Sequence, residues 1–261
     1  MFSQENRCIY RTNQLGEVIC QLRFPENPSI STTLPTAFLE AVRSEFPQFS
    51  SRQESLPPKI TGAPGNMSLQ NQPLVINYQF TSADGKWKIN LTNTFITLSC
   101  ASYTCWEDFA KKLDKPLATF IKLYQPAHFE RVGLRYLNFI SRNALGLADT
   151  PFRELIESCY LGPLAEEDVL EANTHQCTID VNMAIRGGCR LSLHAGPGRI
   201  KRNGQPDPEL KFILDMDLFM PGQIPVNLSA GALNTVHSQA YGIFRGAITD
   251  TLHSAMDPEI I

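Results

Sequence analysis

The chain has 261 residues, 43% of them hydrophobic and 19% charged, the composition of an ordinary soluble protein large enough for one domain or two lobes sharing a core. A net charge of −3 gives no ground for bulk nucleic-acid binding. No run approaches the roughly 18 uncharged apolar residues that a membrane-crossing helix needs, so no membrane partner is expected.

In chain order, Leu15 to Phe24 alternates as a strand, with Val18, Cys20, Leu22 and Phe24 on one face and Ile19, Gln21 and Arg23 on the other. A helix is predicted next, capped by Thr33, with Pro35 in its first turn and Phe38, Leu39, Val42 and Phe46 at helical spacing. Ser50 to Pro73 is rich in Pro, Gly, Ser, Gln and Asn and reads as a long mobile loop. Leu74–Thr81 and Lys86–Leu91 flank a hairpin signal, Ala83-Asp84-Gly85, and Thr94–Cys100 is the following strand. Thr104 and Glu107 have the spacing of a capping box. The helix behind it carries Trp106, Phe109, Leu113, Leu117 and Phe120 on one stripe, and Pro116 is expected to kink or split it. Phe129–Ser141 reads as a long central strand, apolar on both faces near its end.

Beyond residue 142 the pattern recurs. Thr150–Tyr160 reads as a short helix and Glu166, Glu167, Asp168 and Glu171 as an acidic connector. Cys177–Ile185, Cys189–Ala195 and Leu210–Phe219 follow as strands, with a tight turn at Gly187-Gly188. Leu233, Val236, Ala240, Ile243, Phe244, Ala247, Ile248, Leu252 and Ala255 then trace one face of a single long helix. Three strands followed by a long helix thus occur twice. The expected fold is α+β, with two related antiparallel β-meander halves, 1–142 and 143–261, each covered by a long helix and packed as one globular unit. Residues 1–142 carry 15 Lys/Arg against 11 Asp/Glu, a net of +4, and residues 143–261 carry 8 against 15, a net of −7. Such a split can orient two lobes or guide a partner onto one face. The seven cysteines form no Cys-x-x-Cys pair and the N-terminal residues have no apolar core. Reduced thiols in a cytoplasm, without a zinc knuckle or signal peptide, are therefore expected.

Five segments together resemble a sporadically distributed family of bacterial proteins of about this length. They are Glu17-Val18-Ile19-Cys20-Gln21-Leu22-Arg23-Phe24, the helix start Tyr103-Thr104-Cys105-Trp106-Glu107-Asp108-Phe109, and Arg131-Val132-Gly133-Leu134-Arg135-Tyr136-Leu137-Asn138. Leu214-Asp215-Met216-Asp217-Leu218-Phe219 and the ending His237 … Phe244 … Ile248-Thr249-Asp250-Thr251-Leu252 complete the set. The resemblance spans nearly the whole chain. It implies no catalytic residues. It does imply a setting in variable, defence-like gene neighbourhoods, and hence an accessory or regulatory component of a CRISPR-like phage-defence locus. The basic loop Gly196 to Pro208 departs from the family pattern.

Several residues are candidates for chemistry. Asp215 and Asp217, two apart on a strand, point the same way and could face one metal ion in a nuclease or nucleotidyl-transfer site. A third carboxylate and a phosphate-holding loop are not evident, and salt-bridged aspartates are the favoured reading. Arg131 and Arg135 share a strand face that Arg23 can join from a neighbouring strand. They suit a phosphate or carboxylate, or structural pairs with Asp215 and Asp217, which is favoured. Arg199, Lys201 and Arg202 in the basic loop could touch an acidic partner, but a P-loop is ruled out by the missing Gly-Lys-Ser/Thr and by the strand that follows. Tyr78, Phe80 and Trp87 near Lys86 and Lys88 could stack RNA bases, although core aromatics are the default. His237 is expected as a hydrogen-bonded core histidine. No nucleophile signature is present. The reading that follows is a non-enzymatic binding or adaptor protein acting on a protein partner, without cofactor. RNA binding or a metal-dependent nuclease activity through Asp215 and Asp217 is the alternative.

Overall fold

The computed structural model describes residues 2–55, 59–61, 68–70, 74–202 and 204–260. In chain order the strands are β1 (Cys8–Tyr10), β2 (Leu15–Arg23), β3 (Gln48–Ser55), β4 (Lys59–Thr61), β5 (Ser68–Gln70), β6 (Leu74–Thr81), β7 (Trp87–Leu91), β8 (Phe95–Cys100) and β9 (Phe129–Ile140). They continue as β10 (Ile179–Ala184), β11 (Arg190–Gly198), β12 (Lys201–Arg202), β13 (Gln205–Pro206), β14 (Lys211–Ile224) and β15 (Pro258–Ile260). The helices are α1 (Pro28–Thr32), α2 (Thr36–Val42), α3 (Trp106–Tyr124), α4 (Ser229–Arg245) and α5 (Asp250–Ala255).

Nine strands form one sheet in the order β10-β11-β14-β9-β2-β8-β7-β6-β3, with every neighbouring pair antiparallel. The fold is therefore α+β. The pairing of β9 with β14 carries the sheet across residue 142. On one face Val18, Cys20, Leu22, Leu98, Leu134, Tyr136, Leu214, Met216 and Leu218 are buried beneath α3 and α4. Alternation sends their neighbours Ile19, Gln21, Arg131, Arg135, Asp215 and Asp217 to the opposite, open face. Ring contacts fix α3 on the sheet, with Phe120 4.8 Å from Phe24 and Phe109 5.5 Å from Trp87.

The segment read as a mobile loop begins with strand β3, whose Gln48–Ser55 backbone pairs with β6. As an edge strand it keeps polar side chains, which hides its period. Much of the remaining 56–73 segment lies outside the described residues. The helix expected from Thr33 begins only at Thr36, with Pro35 rather than Thr33 at its cap, and a short helix that was not expected precedes it. Asn27 caps α1 through its side chain, Pro28 sits in the first turn, and Thr33 ends that helix. The capping box does not form: Thr104 donates instead to Asp108, Glu107 pairs with Arg7, and Cys105 occupies the cap position. Pro116 lies inside an unbroken α3. Thr150–Tyr160 is not an α-helix; it holds two 3-10 turns.

The long final helix also divides. Gly246 ends α4, and Thr249 caps α5 by accepting from the Leu252 amide. Between them Ile248 pairs as an isolated β-bridge with Ile156. Ala247 and Ile248 stay buried through the break, so the apolar stripe continues where the helix does not. Gly187 and Gly188 turn with φ of 70° and 72°, a conformation open mainly to glycine. The basic hairpin β12–β13 stands on a nearly buried base where Lys211 Nζ reaches Asp207 at 2.6 Å and Glu209 at 3.0 Å.

The N-terminal segment straps the helices together. Ser3 donates to the Gly242 carbonyl, Tyr241 donates to the Asn6 carbonyl, and the buried Arg245 reaches Glu5 and Asp250. β1 then pairs with β15.

Candidate functional site

The open face is organised by β9. Arg131, Gly133 and Arg135 lie on it in succession, with Asp217 opposite Arg135 and Asp215 two residues further along β14. Arg135 donates from Nε and Nη2 to the two carboxylate oxygens of Asp215 at 2.8 and 2.5 Å, a two-pronged pair. Arg131 folds back along the strand, donating to Asp217 at 2.5 Å and to Gln21 at 3.0 Å, with its guanidinium 4.5 Å from the centre of the Phe219 ring. Gly133 makes this path. A Cβ there would sit 2.7 Å from the Arg131 guanidinium and 2.9 Å from Phe219 Cβ.

Arg23 lies directly opposite Arg131 in register and is exposed, and among the described residues it makes no ion pair. The turning of Arg131 toward Asp217 separates two like charges that register alone would set face to face. The Asp215 carboxylate raises the Arg135 pKa further.

These pairs bear on the chemistry of Asp215 and Asp217. Each carboxylate is held by a guanidinium, and among the described residues no cluster of three or more His, Cys, Asp or Glu could hold a metal ion. The basic loop stands apart from this array. Arg199 donates to the Pro208 and Asp207 carbonyls, Lys201 is exposed, and the Arg202 side chain lies outside the described residues. The structure thus brings Arg23, Arg131, Arg135, Asp215 and Asp217 to one face and leaves Arg199 and Lys201 elsewhere.

Sequence reasoning missed the polar groove beside the arginines. It has a volume of about 360 Å³ and is lined by residues including Gln21, Asn77, Lys88, Asn90, Thr97, Ser99 and Arg131. Asn77, Thr97 and Ser99 are buried. Asn77 Nδ2 donates to Glu54 at 2.8 Å and Asn90 Nδ2 to Thr97 at 3.1 Å. Their carbonyl oxygens, Asn77 Oδ1 and Asn90 Oδ1, are buried and have no hydrogen-bond partner among the described residues. A carboxylate accepts from the Asn77 nitrogen, which fixes the orientation of that amide. Such acceptors are uncommon in folded proteins. The only advance signal was their position on alternating strand residues, and register is needed to place them together.

The covered face holds a second polar group of interest. The Tyr136 hydroxyl and His237 Nδ1 lie 2.9 Å apart, and the imidazole stacks on Trp106 at 4.7 Å with 13° between planes. Trp106 is itself held by its Nε1 donating to Asn234. Burial, assisted by the positive charge of Arg7, pulls the His237 pKa down to about 4, so the ring is neutral near pH 7. Burial pushes the Cys20 thiol up to about 12.

Among the described residues, no helix is long and apolar enough to cross a membrane. Compared with known proteins, the chain matches no family model and no curated protein.

Proposed function

We propose that this protein is a non-enzymatic binding module that receives an extended segment of a protein partner in the groove beside Arg131. The carrying observation is the pair of buried amide carbonyls, Asn77 Oδ1 and Asn90 Oδ1, with no partner among the described residues. A buried acceptor left unmet costs about 1–3 kcal/mol, and backbone N–H groups of a bound strand are suited to supply the donors. Thr97, Ser99, Gln21 and Lys88 add neutral and basic contacts along the same floor. The engagement of Arg131 and Arg135 by aspartates weighs against a phosphate-gripping surface, so RNA stands second. The seven free thiols suit a reducing cytoplasm. The repeated three-strand-then-helix order supports reading 1–142 and 143–261 as related halves, the groove belonging chiefly to the first. The family resemblance supports a place as an accessory component of a CRISPR-like phage-defence locus.

Selection from a random peptide library, followed by calorimetry, tests the reading. Enriched peptides are expected to bind the wild-type chain and to weaken at least about tenfold against Asn77→Leu and Asn90→Leu. Peptides that bind these variants equally well would sink the groove assignment. Tight, steeply salt-dependent binding of single-stranded RNA in a gel-shift titration would replace the protein partner with RNA.

A further inference from the structure

On the helix side of the sheet, away from that groove, lies a pocket of about 100 Å³ between β1, the start of α3, β9 and α4. Its walls include the aromatic and thioether groups of Tyr10, Tyr103, Phe244, Met216 and Met256. Into this lining His237 brings a ring with one nitrogen engaged and one free. Nδ1 meets Tyr136, while Nε2 is buried with no hydrogen-bond partner among the described residues. Trp106 stacking and the Tyr136 contact hold the imidazole in place, so Nε2 is a fixed polar point, whereas the Asn13, Gln14 and Asn138 side chains that also line the pocket donate to backbone carbonyls.

We propose that the pocket is a binding site for a small, uncharged, single-ring molecule bearing one hydroxyl or comparable hydrogen-bonding group, which His237 Nε2 engages. Size limits the class. An engineered apolar cavity of roughly 150 Å³ holds benzene, so a space of about 100 Å³ admits at most one small ring. Charge is disfavoured, because an anion taken from water here would have to compete for Arg7, a cation in the lining. The rim charges Arg7 and Glu107 already satisfy each other through two hydrogen bonds of 2.8 Å. A hydroxyl suits either imidazole tautomer, since it can donate to a bare Nε2 or accept from a protonated one. Entry has a ready route. Arg7 lies in the N-terminal strap and lines the pocket, and its pair with the largely exposed Glu107 is of the weak surface kind.

Phenol, toluene and benzoate are the probes, titrated against the full chain with ligand-observed NMR and the fluorescence of Trp106, which stacks on His237. Phenol is expected to bind saturably and about tenfold more tightly than toluene, the worth of one good hydrogen bond, with benzoate excluded. His237→Phe keeps a stacked ring and is expected to erase the preference for phenol. Ala240→Leu leaves His237 intact, fills the pocket and is expected to weaken both neutral probes, with circular dichroism confirming the fold. Phenol no better than toluene, phenol binding unchanged in Ala240→Leu, or no saturable binding by either neutral probe would each overturn the proposal.

Discussion

Val132, Leu134 and Tyr136 point one way from β9, and Arg131, Gly133 and Arg135 point the other. The two faces of one strand handle polarity by different rules. Beneath the helices, the aliphatic side chains exclude water, and the polar groups that enter are held by neighbours, as Tyr136 is by His237 and Asn138 by the Leu214 carbonyl. On the open face, charge is kept and neutralised locally by diagonal pairs across to β14. Each rule has its exceptions, which among the described residues are His237 Nε2 on the covered side and the amide oxygens of Asn77 and Asn90 on the open one. Binding capacity is therefore best sought in these exceptions rather than in the ion pairs, which are already complete.

The contrast can be broken first on the covered face. Leu134 is fully buried, and Leu134→Ala is expected to cost about 2–5 kcal/mol in denaturant unfolding. A loss below about 1 kcal/mol would mean that this face is less tightly packed than the structure shows. Next in size is the pH response of His237. The unfolded chain takes up a proton near the ordinary 6.5, whereas the folded ring resists until about 4. The stability tied to this ring is thus full above pH 6.5 and falls as pH drops from 6.5 toward 4, by about 3 kcal/mol at most. Thermal melts across that window should show His237→Phe with a shallower loss than wild type. Parallel slopes would mean that the imidazole is protonated in the fold. Glu107, held down to about 2 chiefly by its hydrogen bond from Arg7, acts in the same direction at lower pH, but it is largely exposed and contributes little.

The open face sharpens the comparison with smaller effects. Arg131→Ala is expected to cost about 1–3 kcal/mol, because Asp217 loses a charge-assisted partner in a half-buried setting. Gly133→Ala forces the same guanidinium aside, so the two changes should be markedly non-additive in a double-mutant cycle. Additive costs would show that Gly133 serves another purpose. Smallest is Arg135→Ala, under about 1 kcal/mol despite its ideal two-pronged geometry, since the Arg135 side chain is 47% exposed.

Much of this contrast was legible in the sequence. Alternation placed Arg131 and Arg135 on one face, and i, i+2 spacing did the same for Asp215 and Asp217, so their pairing needed only the register of β9 against β14. Helix α3 was clear from its stripe of aromatics. The failures share a cause: backbone hydrogen bonding decided what side-chain pattern could not. Strand β3 is held by β6 although its residues are mostly polar. The apolar stripe from Leu233 to Ala255 ran on through a break, because Ala247 in a turn and Ile248 at a β-bridge are buried just as they would be in a helix. Asn77 and Asn90 were ordinary polar residues of a half-buried sheet until three strands were set side by side. Nothing in the sequence could distinguish one nitrogen of His237 from the other.

The position of β9 has a kinetic consequence. Its two neighbours, β2 and β14, lie far from it along the chain, whereas β6, β7 and β8 pair with strands next in sequence. Closing long loops costs entropy before their contacts repay it. The local meander is therefore expected to form early and the β2–β9–β14 seam late. In chevron measurements Leu134→Ala should mainly accelerate unfolding, while Ile89→Val in β7 should mainly slow folding. The strand that carries the arginines is thus the last to acquire its neighbours, and the open face exists only once the whole sheet is complete.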